Sequence, residues 1–300
     1  MASSLEDSCW PGWSTAPRAI LLVTDSTEFL TNHPAPSSEF KSSGRDSTLH
    51  CDVFWRKRVF PLQLEATFPA LGPTPTIVIG RAENTVSKTS TKWVVTLMHE
   101  HFHQLQDSRP GYYASVDSLN LSGGDKTGMW MLNYPFPYDS QTVAAEFNGL
   151  CAELLRLLNT GGPDSLHAGA RQYWKRRESF RRMLGPADRS YFSFQTWQEG
   201  IARYVEYRCA SMAGGRYRPS DAFRSLPDFT AFAAVAERIR SGVMSELAGA
   251  NLKQRRRELF YPFGAGEGLL LDRINPEWRN QYLATRFQLE PLFPSWVHDQ

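Results

Sequence analysis

The first ninety residues carry their apolar positions in short runs, at 19–23, 53–60 and 76–79, each cut off by Pro, Gly, Ser or Asn. Runs of that length between turn formers predict strands, and the Pro- and Ser-rich stretch 31–46 predicts a surface loop. Beyond Thr89 the apolar positions recur every three or four residues, the spacing of one helix face. That pattern predicts helices over 91–107, 141–158, 165–183, 192–212, 228–247 and 276–285. Their punctuation agrees: Asp107-Ser108-Arg109-Pro110-Gly111 stops the first, Ser140 caps the second, and Asn159-Thr160-Gly161-Gly162-Pro163 ends it. The expected architecture is α+β. A small mixed sheet from residues 1–90 packs on a mainly helical lobe, 91–300, with a cleft where they meet. The segment 110–139 is expected as a long connection bearing Gly and Tyr, and loops of that length are often functional.

Composition narrows the classes of function. With 41% hydrophobic and 21% charged residues among 300, the chain can bury a core and is neither collagenous nor disordered. Lys+Arg 33 against Asp+Glu 31 gives a formal charge of +2, too balanced for a chain whose main task is gripping phosphate backbones, so no nucleic-acid partner is expected. No apolar run approaches the roughly 20 residues that cross a bilayer, so no membrane span is expected. The N-terminus, MASSLEDSCW, has acidic residues where an export signal needs positive charge. A cytoplasmic location is the default expectation, and a removed export signal would leave no trace. Cys9, Cys51, Cys151 and Cys209 form no C-x-x-C pair, which argues against a zinc ribbon, and their even count permits two disulfides or four reduced thiols, with Cys151 and Cys209 in apolar helical contexts. The clusters Lys175-Arg176-Arg177 and Arg255-Arg256-Arg257 read as solvated helix faces.

One window stands apart. Leu97-Met98-His99-Glu100-His101-Phe102-His103-Gln104 contains H-E-x-x-H in a segment patterned as a core-facing helix. Two His one helical turn apart project from the same face, close enough for their imidazoles to share one tetrahedral Zn²⁺. The expected chemistry is hydrolytic: zinc acidifies a water, Glu100 takes its proton as it attacks an amide carbonyl, and the proton passes to the leaving amine. His101, off that face, reads as a core or supporting histidine. A third protein ligand is needed. Gln106 and Arg109 occupy the positions where a metzincin would continue its motif, so the ligand comes from farther along the chain. Glu146 and Glu199 each place a carboxylate in an apolar helical stretch. Glu199 is favoured because Gly200 and Ala202 beside it allow close approach to the first helix.

His99-Glu100-x-x-His103 followed much later by Glu199-Gly200-Ile201-Ala202-Arg203-Tyr204 resembles the gluzincin branch of the zincin metallopeptidases. It resembles in particular uncharacterised bacterial gluzincin-like proteins, through Asn32-His33-Pro34, the helix around Glu146, and the Gly-rich run from Gly264 to Asp272 with Trp278-Arg279 after it. The resemblance implies a zincin-like fold, zinc held by His99, His103 and Glu199, and Glu100 as catalytic base. The substrate implied is a peptide or protein. It also implies a strand at the cleft edge, for which 76–79 is the candidate, and a donor to the oxyanion, for which Tyr261 comes first and Tyr112 and Tyr113 next. Glu206, two turns beyond Glu199, either orients a ligand imidazole or makes a surface salt bridge. The alternative function is a catalytically silent metal-binding or interaction module, which Glu146 would favour if it closed the site as a fourth ligand.

Overall fold

The computed structural model of the chain describes residues 1–298. Six strands precede the long helices: β1 Ile20–Val23, β2 Thr27–Thr31, β3 Lys41–Asp46, β4 Cys51–Lys57, β5 Glu65–Phe68 and β6 Thr76–Gly80. The helices are α1 Ala2–Cys9, α2 Ser90–Asp107, α3 Tyr112–Ser118, α4 Trp130–Asn133, α5 Gln141–Leu158, α6 Pro163–Met183, α7 Pro186–Gln195, α8 Ile201–Arg216, α9 Asp221–Arg224, α10 Phe232–Ala248, α11 Leu252–Arg255, α12 Phe260–Ile274 and α13 Arg279–Tyr282. The α+β expectation holds in this form: a six-stranded N-terminal mixed sheet and a mainly helical C-terminal region. No described helix is long and apolar enough to cross a membrane. The chain divides into two compact units, Met1–Tyr112 with Val205–Glu237, and Tyr113–Tyr204 with Arg238–Gln300.

In the first unit the strands run in the order β3-β4-β2-β1-β6-β5, with β1 and β6 parallel and the other pairs antiparallel. Leu21, Val23, Leu30 and Val78 fill one face of the sheet with Phe40. The side chains of a strand alternate, so Ile77 and Ile79 bury themselves on the other face. Two expectations need correction. Residues 76–79 form not an edge but an interior strand, paired on both sides and buried at every position; the edge is β5. The stretch 31–46 is not all loop, because β3 occupies its second half. That strand, KSSGRD, is exposed at five of six positions and joins the sheet through its main-chain pairing with β4, so it has no apolar alternation to reveal it.

Helix α2 lies against β5 and β6 and is fixed to the sheet by polar side chains. The Gln104 amide donates to Ala19 O and Pro75 O, both at 2.9 Å, and the Trp93 indole donates to Gly80 O at 2.8 Å. Asp228 accepts from the Ser90 main-chain N–H at 2.7 Å, and so caps α2 from a distant segment. The N-terminal segment, for which the sequence pattern predicts no element, forms α1 and buries Trp10 and Trp13 completely. Trp13 stacks on His101 and donates to the main-chain oxygen of that residue at 3.1 Å. Both ring nitrogens of His101 face oxygen acceptors, Gln104 Oε1 at 2.9 Å and Glu6 Oε2 at 3.2 Å, which ties α1 to α2.

In the second unit α12 is central, packed on α5, on α7 and on the turn before α8. The Gly-rich run from Gly264 to Asp272 lies in this helix, and its glycines are contact points. A Cβ on Gly264 would stand 2.7 Å from Gly200 Cα, and one on Gly200 would stand 2.5 Å from Gly264 Cα. Gly200 is thus committed to α12. Phe147, Phe180, Phe192, Phe260 and Phe263 form the aromatic core around that crossing. Arg177, expected on a solvated face, is fully buried: Nε lies 2.5 Å from Glu267 Oε1 and Nη1 2.5 Å from Glu290 Oε1. A buried charge persists only when paired in this way.

Two outcomes test this packing. Gly264→Ala should destabilise the protein by about 1–3 kcal/mol through overpacking, whereas Gly215→Ala, where an added Cβ meets nothing, should be neutral or stabilising in urea unfolding. The hydrogen bond from His101 holds the Glu6 carboxyl below its ordinary value of 4.5, with Arg18 adding to the effect against burial. Its contribution is full above pH 4.5 and lost as pH falls through the lowered value. The stability gap between wild type and Glu6→Gln, read by thermal melts, should therefore shrink below about pH 4.5.

Candidate metal centre

The 3.6-residue repeat brings His99 and His103 together on one side of α2, with Nε2 to Nε2 only 3.0 Å apart and the rings edge to face. The opposite nitrogens are both occupied. His99 Nδ1 lies 2.8 Å from Glu206 Oε1, and His103 Nδ1 lies 2.6 Å from Gln106 Oε1. Because a carboxylate and an amide oxygen only accept, each Nδ1 carries a proton, and the two Nε2 atoms are left facing each other, where a shared proton or a shared metal ion can join them. Both rings are buried, at 7% and 6% exposure. This donor pair fits a metal ion, and the Nδ1 contacts are the kind that fix the tautomer of a metal-binding His.

Glu100 points from α2 toward the sheet edge. The Thr67 hydroxyl of β5 lies 2.8 Å from Glu100 Oε2 and 2.9 Å from its main-chain oxygen. Oε1 of Glu100 makes no hydrogen bond to any described residue, and the carboxyl group is buried at 6% exposure. The edge strand therefore steadies one oxygen of this carboxylate and leaves the other for chemistry.

Glu199 lies in the second unit, on a turn the pattern does not predict. Where regular helix is expected over 192–212, α7 passes into a π-helical turn, Thr196–Gly200, before α8 begins. π turns are rare and concentrate at functional positions. The Thr196 hydroxyl sits 2.9 Å from Phe192 O and 3.0 Å from Ser193 O, satisfying carbonyls where the ladder changes. The Tyr261 hydroxyl hydrogen-bonds the Glu199 carboxylate and accepts from Arg257 Nη1 at 2.8 Å. Burial, and then the negative charge of Glu199, push the Tyr261 hydroxyl well above the ordinary range, so the phenol keeps its proton as a donor. That proton is directed at Glu199. In this arrangement the Tyr261 hydroxyl lies between Arg257 and the Glu199 carboxylate.

Glu146 is elsewhere. It lies on the outer face of α5 in an exposed pair with Arg176 at 3.5 Å, so the apolar setting read from its neighbours does not hold, and the described residues give it no part in a metal centre. Tyr112 is buried in α3 and Tyr113 is partly exposed. Thr67 and Gln106 escape sequence reasoning. Gln106 follows His103 by one helical turn and could have been found by that spacing, whereas nothing along the chain connects Thr67 to Glu100.

No family model, no curated protein and no solved structure matches this chain.

The support under His99 can be tested directly. Glu206→Ala should leave the fold intact by circular dichroism and weaken Zn²⁺ binding by roughly 10–100-fold in competition with a chromophoric chelator.

Proposed function

We propose that this chain is a zinc-dependent hydrolase of the metallopeptidase type, with a zincin-like arrangement of the gluzincin kind, acting on peptide or protein amide bonds. His99, His103 and Glu199 hold the ion, as a set of donors that could share one. The observation that carries the reading is the pair of buried Nε2 atoms facing each other at 3.0 Å with both Nδ1 atoms held by oxygen. Continuity of the helical run supports the place of Glu199, because Glu206, which holds His99, follows it two turns later on the same face. Two nitrogens and a carboxylate oxygen form a donor set that would suit zinc.

Zinc in such a site supplies a Lewis acid that polarises a carbonyl and lowers the pKa of a water to about 7. The protein side of the reaction belongs to Glu100. Its Oε1 takes a proton from the attacking water and returns it to the amide nitrogen as the C–N bond breaks. Thr67 holds Oε2 so that the carboxylate does not swing away. Tyr261 and Arg257 keep the Glu199 carboxylate in one orientation, and burial strengthens that bond. A peptide laid along β5 by strand addition would pair its main chain with the sheet edge and bring a carbonyl to Glu100.

The test is metal content by mass spectrometry on protein purified without chelators, combined with peptide-library cleavage. Near-stoichiometric zinc should be present in the wild type and lost in His103→Ala and Glu199→Ala. Glu100→Gln should retain the zinc and lose turnover by at least about 10²-fold. Folded wild-type protein that takes up no zinc would overturn the reading, as would full activity in Glu100→Gln.

A further inference from the structure

We propose that a cavity in the second unit, lined by the consecutive residues Arg255, Arg256 and Arg257, is an anion subsite that receives a carboxylate of the peptide substrate. The proposal rests on the hydrolase reading and gives it a substrate class: peptides carrying an acidic side chain, or a free C-terminal carboxylate, at the position that enters this cavity. The cavity measures about 420 Å³, enough for a side chain or a chain terminus, and Tyr134 and Tyr138 contribute aromatic walls.

The charge balance of the lining is what points to an anion. Three arginines and one acidic residue, Glu258, line the cavity. Arg255 reaches Glu246 at 2.8 Å outside the lining, and Arg256 reaches Asp139 at 3.2 Å in a pair exposed on both sides. Arg257 bonds the hydroxyl of Tyr261 and lies in the field of the Glu199 carboxylate. A planar guanidinium presents paired N–H donors that match the two oxygens of a carboxylate.

The main chain adds an independent observation. Arg256 adopts φ 49° and ψ −132°, a left-handed backbone that side chains other than Gly rarely accept, at the junction of α11 with the turn Arg256–Leu259. That conformation carries the Arg256 guanidinium over the Tyr138 ring, 5.1 Å from its centroid. Unfavourable backbone geometry of this kind concentrates where a side chain must be presented in one direction. The cavity is also connected to the proposed metal centre, because Arg257 in its wall bonds Tyr261 and Tyr261 bonds Glu199. A carboxylate held here by Arg257 would be linked to a proposed metal ligand through that arginine and Tyr261.

The experiment is isothermal titration calorimetry on the full chain carrying Glu100→Gln, with three probes: Ac-Ala-Glu-Ala-NH2, its neutral counterpart Ac-Ala-Gln-Ala-NH2, and Ac-Ala-Ala-Ala with a free carboxylate. One of the two carboxylate probes should bind at least about tenfold more tightly than the neutral peptide, and which one identifies the side-chain or terminal source. Arg256→Gln added to this background should abolish that preference without altering affinity for the neutral peptide. Equal binding of acidic and neutral probes, no binding of any acidic probe at millimolar concentration, or a preference that survives Arg255→Gln and Arg256→Gln together would overturn the subsite. Repeating the titration on chelator-stripped protein separates the two readings. A preference kept in protein that takes up no zinc sustains the subsite without the hydrolase, and zinc-dependent cleavage without a preference sustains the hydrolase alone.

Discussion

Two imidazole nitrogens held 3.0 Å apart set the terms for the first unit. In a buried setting such a pair needs a shared proton or a shared metal ion between its nitrogens. Glu206 holds one ring and Gln106 the other. The helix beneath them is immobilised in turn by Gln104 on two carbonyls at the start of the sheet, by Trp93 on the end of β6, and by the Trp13 indole on the main chain of His101. Every residue of α2 from Met98 to Asp107 is buried, polar ones included, and most of the polar groups are bonded. A buried, unsatisfied polar group costs a few kcal/mol, so the network is self-consistent only as a whole.

The second unit meets a different constraint with different means. Glu199 stands on a π-helical turn, and the turn is pinned because Gly200 and Gly264 leave no room for a side chain at the crossing with α12. The same helix delivers Tyr261 to the Glu199 carboxylate. Close approach of two backbones and orientation of a proposed metal ligand are thus one feature. Arg257 extends it to the wall of the arginine-lined cavity, so the glycine crossing positions both a ligand and the group proposed to read the substrate.

Much of this was legible along the chain. The boundaries of α5 follow directly from apolar spacing, the Ser140 cap and the Gly-Gly-Pro stop, and α2 from the same kind of signal. The spacing of His99 and His103 placed both on one helix face, and the position of Glu206 allowed its contact with His99. Other signals misled for identifiable reasons. The run of glycines from Gly264 lies in a helix that the apolar spacing does not predict, because small residues serve close packing as readily as turns. A strand as polar as β3 has no face to bury, and Arg177 sits in a basic cluster yet finds two carboxylates that lie far away in the sequence.

The sequence by itself determined what depends on neighbours within a few residues: the helix and strand periods, their stops, and the pairing of two histidines one turn apart. Only the tertiary structure decided what depends on partners distant in the chain. It put Glu146 on the surface, gave Tyr261 to Glu199, joined Thr67 to Glu100, made β5 the edge in place of 76–79, and folded Arg256 over Tyr138. The physical reason is that backbone geometry fixes local neighbours directly, whereas long-range partners are chosen by how whole elements pack and by which buried polar groups must be satisfied.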